Sequence, residues 1–191
     1  MNYLGHLFFS NDDLDLMICN LYGDFVKGTK YTHYSAKIQE GIKLHRALDF
    51  YIDTHPKIKA LKFKFFEALP KVSGIAIDLF LDHFIAKNWS DFHTRSYETF
   101  LDDFFLHRST LEKEMKPQFR LFLTQLRKYQ WLEHYPSDFG LKKLCEGVSM
   151  KLNFENTLHD APKLFYALES EISTTFYAFM EEAKCHFNVS N

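Results

Sequence analysis

Apolar residues recur along this chain at intervals of three and four almost from end to end, the spacing that gives an α-helix one buried face. The pattern predicts helices over 12–27, 36–54, 56–68, 71–88, 91–115, 118–134, 138–152 and 161–187. Strand-like alternation is weak throughout. Pro56, Pro70, Pro117 and Pro162 fall near predicted helix starts, where a missing amide hydrogen does no harm, and Ser90 and Asp160 stand where caps are expected. No solenoid-length repeat, low-complexity tract or linker interrupts the pattern. The expected fold is all-α, a single compact multi-helix domain over residues 1–191.

Three of the predicted helices carry charged residues inside their apolar stripes. Ile38, Ile42, His45, Asp49 and Ile52 are spaced 4, 3, 4 and 3 apart and share one face, with Asp53 beside the stripe and Arg46 at its edge. Leu14, Met17, Leu21 and Asp24 share another. Ile75, Asp78, Asp82, Ile85 and Trp89 form a third, on a segment that Ile77, Leu79, Phe80, Leu81 and Phe84 make apolar on most sides. A buried carboxylate costs several kcal/mol unless a cation or a hydrogen-bond donor meets it. One inward histidine or aspartate is ordinarily a satisfied core group or a bridge between helices. Asp24, His45, Asp49, Asp78, Asp82 and His83 together, with few basic partners facing inward, point to a shared metal or catalytic site between helices. His33, His55, His93, His107, His134, His159 and His186 fit surface or loop positions, and the apolar spacing from Leu164 to Phe179 is that of a core helix.

Composition narrows the class. The 191 residues are 46% hydrophobic and 25% charged, which is ordinary for a globular chain, and a formal net charge of -2 supplies no basic field for nucleic acid. Cys19, Cys145 and Cys185 are far apart and lack CxxC spacing, so free thiols in a reducing compartment are expected. Residues 1–10 lack the pattern of a signal peptide, and charges interrupt every apolar stretch before about 18 residues, so no membrane span is expected. The expected location is the cytoplasm. No glycine-rich phosphate loop, GxSxG or Cys/His nucleophile spacing occurs.

Several ordered blocks within the first 90 residues are similar to one family. They are Asn2-Tyr3-Leu4-Gly5-His6, the run Asn20-Leu21-Tyr22-Gly23-Asp24-Phe25-Val26-Lys27-Gly28, Gly41-Ile42 leading to His45-Arg46 and Asp49, then Asp53 and Pro56, and Asp82-His83-Phe84 with Trp89. This pattern resembles the acyl carrier protein phosphodiesterases. The resemblance implies hydrolysis of the phosphodiester joining 4'-phosphopantetheine to a serine of holo acyl carrier protein, with Mn2+ or Mg2+ as cofactor. It carries His6, Asp24, His45, Asp49 and Asp82 over as candidate metal ligands. Arg46 is then placed to grip the phosphate, and Asp78 or His83 to orient water or protonate the departing serine oxygen. The family is described as a distant relative of the all-helical HD phosphohydrolases. This chain departs from their pattern, since its adjacent pair runs Asp82-His83 and His45 is followed by Arg46.

An acidic carrier protein also calls for a local basic strip, which Lys57, Lys59, Lys62, Lys64 and Lys71 could form, with Lys37 and Lys43 ahead of the site. A solvated lysine face is the plain alternative. Two other functions compete: a metal phosphohydrolase acting on a nucleotide or small phosphodiester, and a non-catalytic helical binder of an acidic partner.

Overall fold

Short breaks at proline, at capping side chains and at left-handed residues divide the chain more finely than its apolar period suggests. A computed structural model describes residues 1–190, and among them there is no strand. The α-helices are α1 (Tyr3–Phe8), α2 (Leu14–Tyr22), α3 (Ala36–Thr54), α4 (Pro56–Phe65), α5 (Ser73–Lys87), α6 (Trp89–Phe92), α7 (Tyr97–Leu106), α8 (Pro117–Tyr129), α9 (Asp138–Ser149), α10 (Ala161–Ala167) and α11 (Glu169–His186). Four single 3-10 turns, Gly23–Phe25, Thr110–Glu114, Trp131–His134 and Leu158–Asp160, link some of them.

The expected segment 91–115 is three pieces. Ser96 caps α7 by accepting from the Thr99 amide at 3.1 Å, and Ser109 with Glu112 forms a capping box that starts the Thr110–Glu114 turn. Ser90 lies inside α6, and Asp160 pairs with Lys163 at 2.7 Å without capping anything. Gln130, in the left-handed region at φ 46°, ends α8 before Trp131.

Helix α5 runs through the middle of the molecule, packed by α1, α4, α9 and α11. Leu79, Phe80, Leu81, Phe84 and Ile85 bury most of its circumference, and Phe65, Phe165 and Phe176 close around it in one continuous core. Burial of each such ring is worth about 1.5–3 kcal/mol. Beside it, α2 and α3 approach so closely that a Cβ on Gly41 would lie 2.4 Å from the Cys19 backbone. Glycine is the residue this crossing admits. Cys19 and Cys145 are buried free thiols, and Cys185 is exposed and free. His55 and His93 are buried, contrary to the surface reading of their positions, each with a carboxylate partner: Glu182 at 3.0 Å and Asp12 at 3.1 Å. None of the described helices is long and apolar enough to cross a membrane.

Candidate active site

Helices α1, α3 and α5 bring their polar residues to one open cleft of about 320 Å³, lined by Met1, His6, Asp24, His45, Asp49, Asp53 and Asp78 among others. His6 lies on α1, a helix the sequence did not announce. Its six residues are too few for an apolar period, and five of them are buried. The α3 stripe delivers His45 and Asp49 one turn apart, with His45 Nε2 3.2 Å from Asp49 Oδ2. The His45 ring stacks on His6 with centroids 4.1 Å apart. It reaches that position because Gly23 has no side chain: a Cβ there would lie 2.4 Å from His45 Cβ.

The hydrogen bonds around His6 fix its tautomer. Asn20, buried on α2, donates through Nδ2 to the His6 carbonyl at 2.8 Å and to Ser10 Oγ at 3.1 Å. Its Oδ1 therefore faces His6 Nδ1 at 3.0 Å, and the ring nitrogen is the donor. Burial lowers the His6 pKa to about 4, so the ring is neutral near pH 7 and Nε2 carries a lone pair. That lone pair faces two oxygens, the Met1 carbonyl at 3.1 Å and Asp49 Oδ1 at 3.4 Å. A cation in this gap would turn mutual repulsion into coordination. One nitrogen of His6, one of His45 and one oxygen of Asp49 lie within 4.8 Å of one another. Donors about 2.0–2.3 Å from a single ion lie about 3–4.5 Å apart, so these residues fit a divalent cation with little adjustment.

The carboxylates differ in their state. Burial pushes the Asp49 carboxyl up, but the facing His45 ring and the Met1 ammonium outweigh it and hold the pKa below the usual range. The α-ammonium of Met1 lies 3.4 Å from Asp49 and 3.1 Å from Asp78. Burial makes Asp78 harder to ionise, and that ammonium only partly offsets the effect.

Three expected site residues lie outside the cleft, and a fourth, Asp24, stands at its mouth. Asp82, fully buried on α5, accepts from the Leu4 amide at 2.8 Å and the Gly5 amide at 3.0 Å. It satisfies the first-turn amides of α1 and stands outside the His6, His45 and Asp49 group. Burial raises its pKa to about 7 against the pull of those two amides. His83 points elsewhere, its Nδ1 2.7 Å from the Tyr135 carbonyl and its ring edge against Phe165. The adjacent Asp82-His83 pair therefore does not act as a unit. Arg46 donates to the carbonyls of Val26 at 2.9 Å and Gly28 at 2.6 Å and lies 4.9 Å over the Tyr31 ring, so it ties down the 26–31 loop outside the cleft. Asp24 stands at the cleft mouth, largely exposed, 3.7 Å from Lys27. Asn20 and Ser10 are site residues that pattern reading missed.

A second cleft adjoins the first at Asp53 and Asp78 and is lined by Lys59, Lys62 and Lys71 with Phe63 and Phe66, which are 86% and 59% exposed. Lys62 lies 3.9 Å from Asp53, and Lys57 and Lys64 are paired with Glu182 and Glu171.

An all-helical domain whose acidic cleft gathers imidazoles and carboxylates of unlike ionisation has the equipment of a hydrolase. The sequence profile of the family described as "Acyl carrier protein phosphodiesterase" matches residues 1–183, and the chain belongs to that family, which makes it a phosphodiester hydrolase. Similar curated proteins, each named acyl carrier protein phosphodiesterase, come from Salmonella agona (strain SL483), Salmonella dublin and Salmonella newport (strain SL254). Each is 26% identical over 191 residues, covering 98% of this chain and 93% of the relative. No solved structure matches the chain.

Proposed function

We propose that the chain removes 4'-phosphopantetheine from holo acyl carrier protein, leaving the apo protein, with a divalent cation held by His6, His45 and Asp49. The observation that carries this reading is the His6 Nε2 lone pair, fixed by Asn20 and facing Asp49 and the Met1 carbonyl at distances a cation would bridge. Mn2+ or Mg2+ suits a donor set that mixes carboxylate with imidazole, and when bound it supplies an activated water and offsets charge on the non-bridging phosphate oxygens.

The chain's own groups do the rest. Neutral His6 accepts a cation without first losing a proton. Asp78, on the far wall and reluctant to ionise, is placed to protonate the departing serine oxygen. Asp24 at the mouth remains a further ligand candidate. Arg46 positions the 26–31 loop, Asp82 positions α1 and with it His6, and His83 serves the core. The acidic carrier protein docks over Lys59, Lys62 and Lys71, whose cleft runs into the site, while exposed Phe63 and Phe66 add apolar contact.

Incubation of purified holo carrier protein with the enzyme and Mn2+, followed by intact-protein mass spectrometry, tests the reading. Loss of the phosphopantetheine mass, stopped by a chelator, is expected. An unchanged holo mass would overturn it.

A further inference from the structure

A third recess lies on the other side of Tyr3. It measures about 240 Å³ and is walled by Tyr3, Trp131, Tyr135, Leu144 and Val148, with Gly147 of α9 in its lining. Tyr3 borders both this cavity and the polar cleft. The two also meet where Asn2, which lines the cleft, donates to the Tyr135 hydroxyl at 3.3 Å. Apolar side chains that line a concave pocket and stay only half-buried are typical of ligand sites. Lys143, in the lining, is paired with Glu146 at 2.8 Å and lies over the Phe139 ring, and Lys151 lines the same pocket.

We propose that this pocket seats the pantetheine arm of the substrate, an inference that rests on the phosphodiesterase reading above. A phosphodiester in the polar cleft has two ends that must leave in different directions. One is the serine of a folded protein, and the lysine cleft opens from the site at Asp53 and Asp78 to receive it. The other is an uncharged chain that runs from a methylene to a dimethyl-substituted carbon, a hydroxyl-bearing carbon and then through two amides to a thiol. From the phosphate, such a chain passes Tyr3 into a mainly apolar pocket, where Trp131, Leu144 and Val148 take the methyl groups and methylenes. The rings of Tyr3 and Tyr135 divide the polar end from the apolar end. Binding energy gathered there, remote from phosphorus, helps align the reacting bond.

Gly147 gives a clean test, because a Cβ at this position meets nothing within 4 Å and its backbone is ordinary helix. Gly147→Leu therefore enters open pocket space, adds helix propensity and leaves the catalytic cleft untouched. Two readouts are needed. Titration of the metal-loaded wild-type enzyme with free pantetheine, which lacks phosphate, is expected to give a saturable change in Trp131 fluorescence that Gly147→Leu loses. Turnover of holo carrier protein by Gly147→Leu is expected to fall at least about tenfold in kcat/KM, while hydrolysis of bis(p-nitrophenyl) phosphate stays within about twofold. A wild-type enzyme with no pantetheine response, or a variant that keeps both the response and full turnover, would overturn the proposal. A wild-type enzyme that gives the response yet leaves holo carrier protein intact supports the pocket and overturns the phosphodiesterase reading instead.

Discussion

Asn20 decides what His6 can do. Without its Oδ1 the imidazole would be free to turn or to swap tautomers, and the lone pair at Nε2 would lose its aim. Asn20→Leu is therefore expected to weaken Mn2+ binding about 10- to 100-fold, read by calorimetric titration, although it touches no ligand atom of the ion. An unchanged affinity would remove Asn20 from the site. Neutral burial of His6 also predicts a pH dependence in the metal-free protein. The folded pKa of about 4 lies below the ordinary value of 6.5, so between them the unfolded chain binds a proton that the fold refuses. Stability should fall as pH drops through that window, by about 3 kcal/mol for this group. Urea midpoints in chelator, compared for wild type and His6→Gln at pH 7 and 4.5, measure it, and the variant should lose less. At this scale the sequence was partly legible. The 4, 3, 4, 3 spacing found His45 and Asp49, but one amide between Met17 and Tyr22 looks like filler, and periodicity cannot say that the long Arg46 side chain reaches back to loop carbonyls.

At the scale of elements, α1 is the piece the site depends on and the piece the pattern hid. It carries His6, it is one and a half turns long, and its opening amides are met by a carboxylate from α5, 77 and 78 positions away in sequence. The energetic conflict of an aspartate in an apolar helix was readable, and a metal ion was one resolution of it. The structure uses another, a pair of backbone donors. Asp82→Ala leaves both amides unsatisfied at roughly 1–3 kcal/mol each and should cost about 2–5 kcal/mol in urea denaturation even with chelator present. A cost under about 0.5 kcal/mol would contradict that role. The eight expected helices mark most of the helical chain correctly. Where they run too long, as at 91–115, the cause is local capping by Ser96 and Ser109 that an unbroken apolar period conceals.

The whole molecule arranges three recesses in series: a lysine-lined cleft, the acidic site, and the apolar pocket beyond Tyr3. A net charge of -2 conceals this order, because the lysines of the cleft are local and three of the expected strip are paired, with Asp53, Glu171 and Glu182. Reversal of Lys59 and Lys62 to Glu should raise KM for holo carrier protein about tenfold or more and leave hydrolysis of a small phosphodiester unchanged. A parallel loss of both activities would contradict docking there. The all-α class was legible because every layer of the core is built from helix-period stripes. The convergence of α1, α3 and α5 was not, since it depends on long-range packing. Whether His6, His45 and Asp49 hold the proposed cation is decided by Mn2+ titration followed by electron paramagnetic resonance. A saturable site is expected in the wild-type protein, with an affinity that falls by more than about 100-fold in His45→Ala and is retained in His83→Gln. Undiminished Mn2+ binding by His45→Ala would contradict it.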